Sequence, residues 1–389
     1  MRGHIIKRAK DSYSIVLSLG NDPATGKRRR QWLSVKGTKK DAEKRLAELL
    51  RQVDTGTFMK PGKTTVADYL KNWLSDYVKP NLSPRGFERY ESIVRVYLIP
   101  ALGGMPLIQV RPEHIQKHYS AMLNKGLSAL SVRYHHVVLH KALQTALQWG
   151  LVNRNAADGA MPPKARRSEM QTWDKNETNR FLEAAKGTIY YPLFYTALFT
   201  GMRRSELLAL RWQDIDLIFG QVSVSRGMHH LRDGTYVFTE PKSTKSRRTI
   251  ALPPSAILAL SEHRTAKEAE ALLTGKPLTD TDLVFSVAGV KPLRPNSVSR
   301  AWKNLAARAG VKVIRFHDAR HTHASLMLKQ GIHPKIVQER LGHASIQVTL
   351  DTYSHVAPGL QQAAALRFDE ALTTHYNEYR DNEIVGKIG

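Results

Sequence analysis

Two periods of hydrophobic spacing divide the chain. Tyr13-Ser-Ile-Val-Leu-Ser-Leu19 and Arg30-Gln-Trp-Leu-Ser-Val35 alternate as strands do, and Asn21-Asp-Pro-Ala-Thr-Gly26 between them has turn chemistry, which predicts a hairpin. A helix should follow from a Thr38 cap, with Leu46, Leu49, Leu50 and Val53 on one face and Gly56 as its stop. Residues 1–62 are expected to form a small α+β unit, a three-stranded sheet of which this hairpin is two strands plus one helix, ending in a linker at 58–63.

From 63 to 160 the period is helical throughout and predicts an all-α unit of four helices. The first starts after Thr64 or Thr65, the second runs from Ser83 to Leu98 with Tyr90, Val94 and Tyr97 on one face, and Pro100 to Pro106 breaks the pattern. Pro112 opens the third, and the fourth runs from about Ser128 through Val132, Val138, Leu139, Leu143 and Leu147 to Trp149, where Gly150 ends it. Burying only the apolar faces leaves Lys71, Arg85, Arg89, Arg95, Lys117, Arg133, His135, His136 and Lys141 for the polar ones. Residues 161–170, with Met-Pro-Pro-Lys-Ala-Arg-Arg, read as a proline-stiffened linker. Beyond it, 171–372 is mainly helical with a small antiparallel sheet: Asp174 caps a helix, Tyr190 to Thr200 forms an apolar one, and strands are expected at Gln221-Val-Ser-Val-Ser225 and Thr249-Ile-Ala-Leu252. Residues 373–389 are a tail.

Composition adds a partner. The formal charge is +25, from 59 Lys and Arg against 34 Asp and Glu in 389 residues, and residues 1–60 alone hold 15 against 6. Such an excess points to a polyanionic partner such as nucleic acid. The basic strand edge Lys27, Arg28, Arg29, Arg30 suits insertion into a groove. With no cysteine, disulfides, thiolate metal sites and a cysteine nucleophile are excluded. No run of about 18 apolar residues and no apolar leader is present, so a soluble, cytoplasmic protein without a membrane partner is expected.

The chemistry concentrates between Arg315 and Tyr353. His317 and Arg320 fall on one helical face, Leu341-Gly342-His343 follows an amphipathic run, and Tyr353 comes ten residues later. Arginine matches phosphate oxygens, histidine donates or moves a proton, and tyrosine can attack as an oxygen nucleophile. Upstream, Gly201 should stop the apolar helix and place Arg203 at the start of the next, where free backbone N–H groups favour an anion, with Glu206 one turn on to orient it. Glu240-Pro-Lys242-Ser-Thr-Lys245-Ser-Arg-Arg has the form of a basic β-hairpin whose tip lysine can reach a groove.

In this order, Thr-Gly-Met-Arg203, the Lys242 hairpin, His317-x-x-Arg320, Leu-Gly-His343 and Tyr353 resemble the catalytic signature of the tyrosine recombinases, the phage and transposon integrase family. The resemblance implies a site-specific integrase that cleaves and rejoins DNA through a 3′-phosphotyrosyl link, needing no metal or other cofactor. Its parts would be an arm-type DNA-binding domain at 1–62, a SAM-like core-binding domain at 63–160 and a catalytic domain at 171–372. Tyr353 would attack, Arg203 and Arg320 would hold the phosphate, His343 would hydrogen-bond it, His317 would assist proton removal, and a lysine would protonate the leaving 5′ oxygen. Lys242, after Thr239-Glu-Pro, is favoured over Lys245, which is left with DNA binding alongside Arg89.

The resemblance further implies a bacterial or phage-encoded enzyme of a prophage or other mobile element, acting on the chromosome as a homo-tetramer on paired core and arm sites. The same resemblance implies an accessory excision or DNA-bending factor. The segment 357–372, with Leu360, Ala364, Leu366 and Ala371 on one face, would dock onto a neighbour. His321 and His323 become packing or supporting residues, and Asp318 supports the helix start. Rival readings are a DNA-binding protein without catalysis, a metal-dependent nuclease using His321 and a type IB topoisomerase.

Overall fold

A computed structural model describes residues 3–21, 26–54, 64–165, 170–240, 247–273, 275–287 and 291–353, with isolated positions up to 372. The side chains of Leu19 and Arg29 are outside it. So are the expected Gly56 stop, the 58–63 linker, Lys242, Lys245, most of the expected docking segment 357–372 and the tail. The chain forms two compact units, Met1–Arg167 and Ser168–Gly389.

In the first unit Gly3–Ala9, Ser12–Asn21 and Arg28–Lys36 form an antiparallel sheet in sequence order, and the helix Lys39–Asp54 follows. Ile15, Leu17 and Leu49 are buried between sheet and helix, with Leu33, Val35 and Leu46 packed around them. Because strand residues alternate in facing, burying Leu33 and Val35 turns Trp32 outward, half exposed, beside the exposed Arg30 and Ser34. The Arg8 guanidinium lies 5.4 Å from the Trp32 ring.

The same unit holds four helical rods. Thr65 caps the first by accepting the Asp68 N–H, and Ser128 caps the last, Ala129–Gln148, by accepting that of Ser131. The second rod does not stop where proline was expected to break it: Pro84–Ile93 continues through a π-helical segment, Val94–Leu98, into Ile99–Leu102. A matching segment, Leu74–Val78, precedes Pro80 in the first rod. Proline lacks an N–H and crowds the preceding turn, and one wider turn ahead of it lets the helix absorb both defects.

His135 belongs to the core rather than the polar face. It is buried, with its Nδ1 3.3 Å from Nε2 of buried His118, while His136 Nδ1 meets the Tyr119 hydroxyl at 2.7 Å. Burial, then the neighbouring His135 and Lys125, push His118 down to about 4. Since the unfolded imidazole protonates near 6.5 and the folded one only near 4, stability is full above pH 6.5 and falls steadily between those values. We expect a loss on the order of 2 kcal/mol from this residue by pH 4.5. Urea unfolding between pH 7 and 4.5 checks it, and His118→Gln should flatten the slope.

The second unit is built on an aromatic core. Trp173 stacks on Trp302 at 4.8 Å, and Phe181, Phe194 and Phe316 close around them. Trp173 also donates its backbone N–H to Thr322 and its indole N–H to the Lys312 carbonyl. The helix Asp318–Lys329, which carries Arg320, is thus held by that core. Gln221–Val224 pairs antiparallel with Ile215–Asp216 on one side and Arg248–Ala251 on the other, Val222 facing Ile250. Tyr236–Thr239 pairs instead with Gly227–His230. Among the described residues, the strands on either side of Lys242 thus pair in two different ladders, and the turn expected between them, 241–246, lies outside the described residues. No helix among the described residues is long and apolar enough to cross a membrane.

Candidate active site

Two glycine corners frame the site. Gly201 ends the helix Tyr191–Thr200 with φ 66°, and a Cβ there would lie 2.7 Å from Leu341 Cδ2 and 2.8 Å from His323 Cδ2. Gly342 ends Pro334–Leu341, also at φ 66°, with a Cβ position 3.0 Å from Arg248 Cδ. Both corners need left-handed backbone and a missing side chain, which glycine alone supplies without strain.

Arg203 follows the first corner. The next helix is short, Arg204–Leu207, and the Arg203 backbone N–H already donates to Glu206 Oε2 at 2.8 Å. The expected backbone contribution to anion binding at this residue is therefore absent, because the capping carboxylate occupies it. The side chain carries the charge instead. It donates to Glu206 Oε1 at 2.7 Å and remains 36% exposed.

Glu206 also accepts from buried Arg248, Nη2 to Oε2 at 2.9 Å, and Arg248 Nε donates to the Arg340 carbonyl at 2.7 Å. Burial pushes the Glu206 carboxyl upward, but the hydrogen bond and charge of Arg248, with the charge of Arg203, overcome it and hold the pKa at about 2. The carboxylate is thus ionised between two guanidiniums.

Arg320 is buried and spends two of its five N–H donors on backbone: one nitrogen donates to the Gly201 carbonyl at 2.9 Å, the other to that of Leu341 at 2.6 Å. Its charge is felt by Arg203 across the site, while Glu206 opposes the repulsion. Three cations, Arg203, Arg248 and Arg320, thus gather around one carboxylate. Burial first, and then nearby arginines, lowers His317 and brings His343 to about 4, so both are neutral at pH 7. His343 is fixed through Nδ1 to the Thr349 hydroxyl at 2.8 Å.

Tyr353 closes the helix Ile346–Tyr353 and is 1% exposed, its ring packed with Ala324, Leu328, Val337 and Leu341. Burial pushes its phenol up to about 12 against the opposing charge of Arg320. Its hydroxyl lies 2.8 Å from His321 Nδ1. The direct partner is therefore His321, whereas His317 meets His321 edge-on with ring centroids 5.3 Å apart. His323 differs again: Nδ1 bonds the Leu198 carbonyl and Nε2 accepts from Arg340. Asp318 accepts both the backbone N–H and the guanidinium of Arg315. Among the described residues no three His, Cys, Asp or Glu converge as metal ligands would.

Arg203, His317, Arg320, His343, Tyr353 and Glu206 are thus gathered in the second unit. Lys27, Arg28 and Arg30 are exposed in the first unit's sheet region, and exposed Arg89 lies over the Tyr134 ring at 3.5 Å. Arg248, Thr349 and the His321 contact were missed. The one available signal for Arg248 was an arginine entering an apolar strand, which is unusual for a buried position.

Residues 171–359 match the Phage integrase family, and residues 65–123 match the Phage integrase N-terminal SAM-like domain. An integrase of Streptomyces ambofaciens is 30% identical over 365 residues, covering 90% of this chain and 91% of that protein. In fold, the chain resembles the Tn1549 transposon integrase solved with circular intermediate DNA, with a TM-score of 0.67, 20% identity, and coverage of 79% of this chain and all of that one. It also resembles the lambda integrase tetramer bound to a Holliday junction, with a TM-score of 0.57, 18% identity, and coverage of 91% and 95%.

Proposed function

The chain belongs to the phage integrase family of tyrosine recombinases, and from that premise we propose that it integrates and excises a mobile element or prophage through a 3′-phosphotyrosyl intermediate. The observation that carries this reading is the buried Tyr353 phenol facing an excess of guanidinium charge that, among the described residues, the Glu206 carboxylate only partly offsets. A scissile phosphate supplies the missing negative charge. Arg203 and Arg320 hold its non-bridging oxygens and stabilise the charge that grows as phosphorus becomes five-coordinate. His343 donates to the phosphate from the ring edge not used by Thr349, and Glu206 aims Arg203. His317, within electrostatic reach of Arg203 and Arg320, acts beside them. Lys242 protonates the departing 5′ oxygen, with Lys245 as the alternative.

The division of labour follows the same reading: 1–62 engages arm sites, with Arg28, Arg30 and outward Trp32 on the sheet, 63–160 binds core sites, and 171–372 performs the chemistry. Partners are double-stranded DNA and three further copies of the chain, as in the tetramer of its lambda relative, with an accessory excision factor where direction must be set. The working compartment is the bacterial cytoplasm.

Nicked duplexes spanning the junctions of the element test this. The protein should leave an SDS-resistant adduct that maps to Tyr353, unaffected by EDTA. An adduct at another residue, or EDTA-sensitive cleavage without an adduct, would sink the reading.

A further inference from the structure

The reaction needs the phenol proton removed, and burial makes that harder by raising the phenol to about 12. The hydroxyl has one polar partner among the described residues, Nδ1 of His321 at 2.8 Å. Every charged or titratable group facing His321 bears on its state. Burial first, then His317, Arg320 and Arg315, lower it to about 4, with Asp318 opposing, and His343 stands across Tyr353. The imidazole is therefore neutral at working pH and one of its nitrogens carries a lone pair. The short contact aims Nδ1 at the hydroxyl, so the tautomer with the proton on Nε2 lets the phenol donate.

We propose that His321 is a catalytic residue, the general base that takes the proton of Tyr353. The proposal rests on the reading of Tyr353 as nucleophile and moves the base from His317 to the next turn of the helix. As the tyrosine oxygen bonds to phosphorus, its proton passes to Nδ1 and His321 becomes imidazolium. The bond from phosphorus to the 5′ oxygen breaks, and that oxygen takes its proton from the Lys242 ammonium. On rejoining, an incoming 5′ hydroxyl returns a proton to the lysine and attacks phosphorus, and His321 gives its proton back to the departing phenolate. Protons balance in both directions, and no further reactant enters.

His321→Asn places an amide oxygen near the Nδ1 position and so keeps an acceptor without basicity. Single-turnover cleavage of a nicked duplex should slow roughly 10²- to 10³-fold while duplex binding stays unchanged. A polyfluorinated tyrosine at position 353, whose phenol ionises near neutrality, should restore most of that loss, because an ionised nucleophile needs no base. A purely structural role for His321 predicts no such rescue. Cleavage by His321→Asn at the unmutated rate overturns the proposal, as does slowing without rescue. Nitrogen-15 spectra of the unmutated chain give an independent check that does not depend on a variant folding: a proton on Nδ1 overturns the proposal, and one on Nε2 supports it. An unmutated chain that forms no Tyr353 adduct overturns both this inference and the function beneath it. An adduct that His321→Asn leaves unchanged overturns the inference alone.

Discussion

Tyr353→Phe is expected to bind duplex DNA as the unmutated chain does and to form no covalent adduct at all. Phenylalanine keeps the ring that fills the cluster of Ala324, Leu328, Val337 and Leu341, so packing is preserved. What is lost is the hydroxyl and its hydrogen bond to His321, about 1 kcal/mol of stability. The protein should therefore remain folded, with recombination eliminated. Gel shift, SDS-resistant adduct formation and junction joining, measured together, separate the outcomes. Joining at an undiminished rate would mean that another nucleophile does the work, and binding lost in parallel would mean that the substitution damaged the fold.

The second large effect is expected from Arg320→Lys. An ammonium keeps the charge but cannot reach two backbone carbonyls on opposite corners and still present a fork to phosphate. Cleavage should fall about 10²- to 10³-fold, the usual cost of removing a donor aimed at developing negative charge. Leaving the Gly201 and Leu341 carbonyls without their donor should cost a further ~1–3 kcal/mol of stability. Single-turnover rates with saturating enzyme, compared with urea unfolding, tell the two losses apart. A variant that cleaves normally would remove Arg320 from the reaction.

Much of this site was legible because its markers are local. Arg203 with Glu206, His317 with Arg320, and the Leu-Gly-His343 corner each lie within a turn or two, where helical spacing decides what can meet. The N-terminal hairpin with its helix, the four helical rods and the separate strands at 221–224 and 248–251 follow from period and turn chemistry in the same way, whereas the pairing of those last two does not. The misreadings were of two kinds. Arg248 meets Glu206 across 42 positions, and Tyr353 meets His321 across 32, distances over which periodicity is silent. His135 and Pro100 were misjudged because residue type was allowed to outvote packing: a histidine pair can be satisfied in a core, and a π turn can admit a proline.

The acceptors that hold Arg320 are main-chain carbonyls, and every residue type has one. Side chains around 198–201 and 338–341 can therefore drift over generations without loosening the guanidinium, provided the two glycine corners survive. From the long stretch between Leu207 and Arg315, Arg248 braces the second corner, by its donation to the Arg340 carbonyl and its contact at Gly342. Such an arrangement insulates the reactive centre from turnover elsewhere in the gene, leaving surfaces that meet DNA free to acquire new target sequences while the chemistry stays the same.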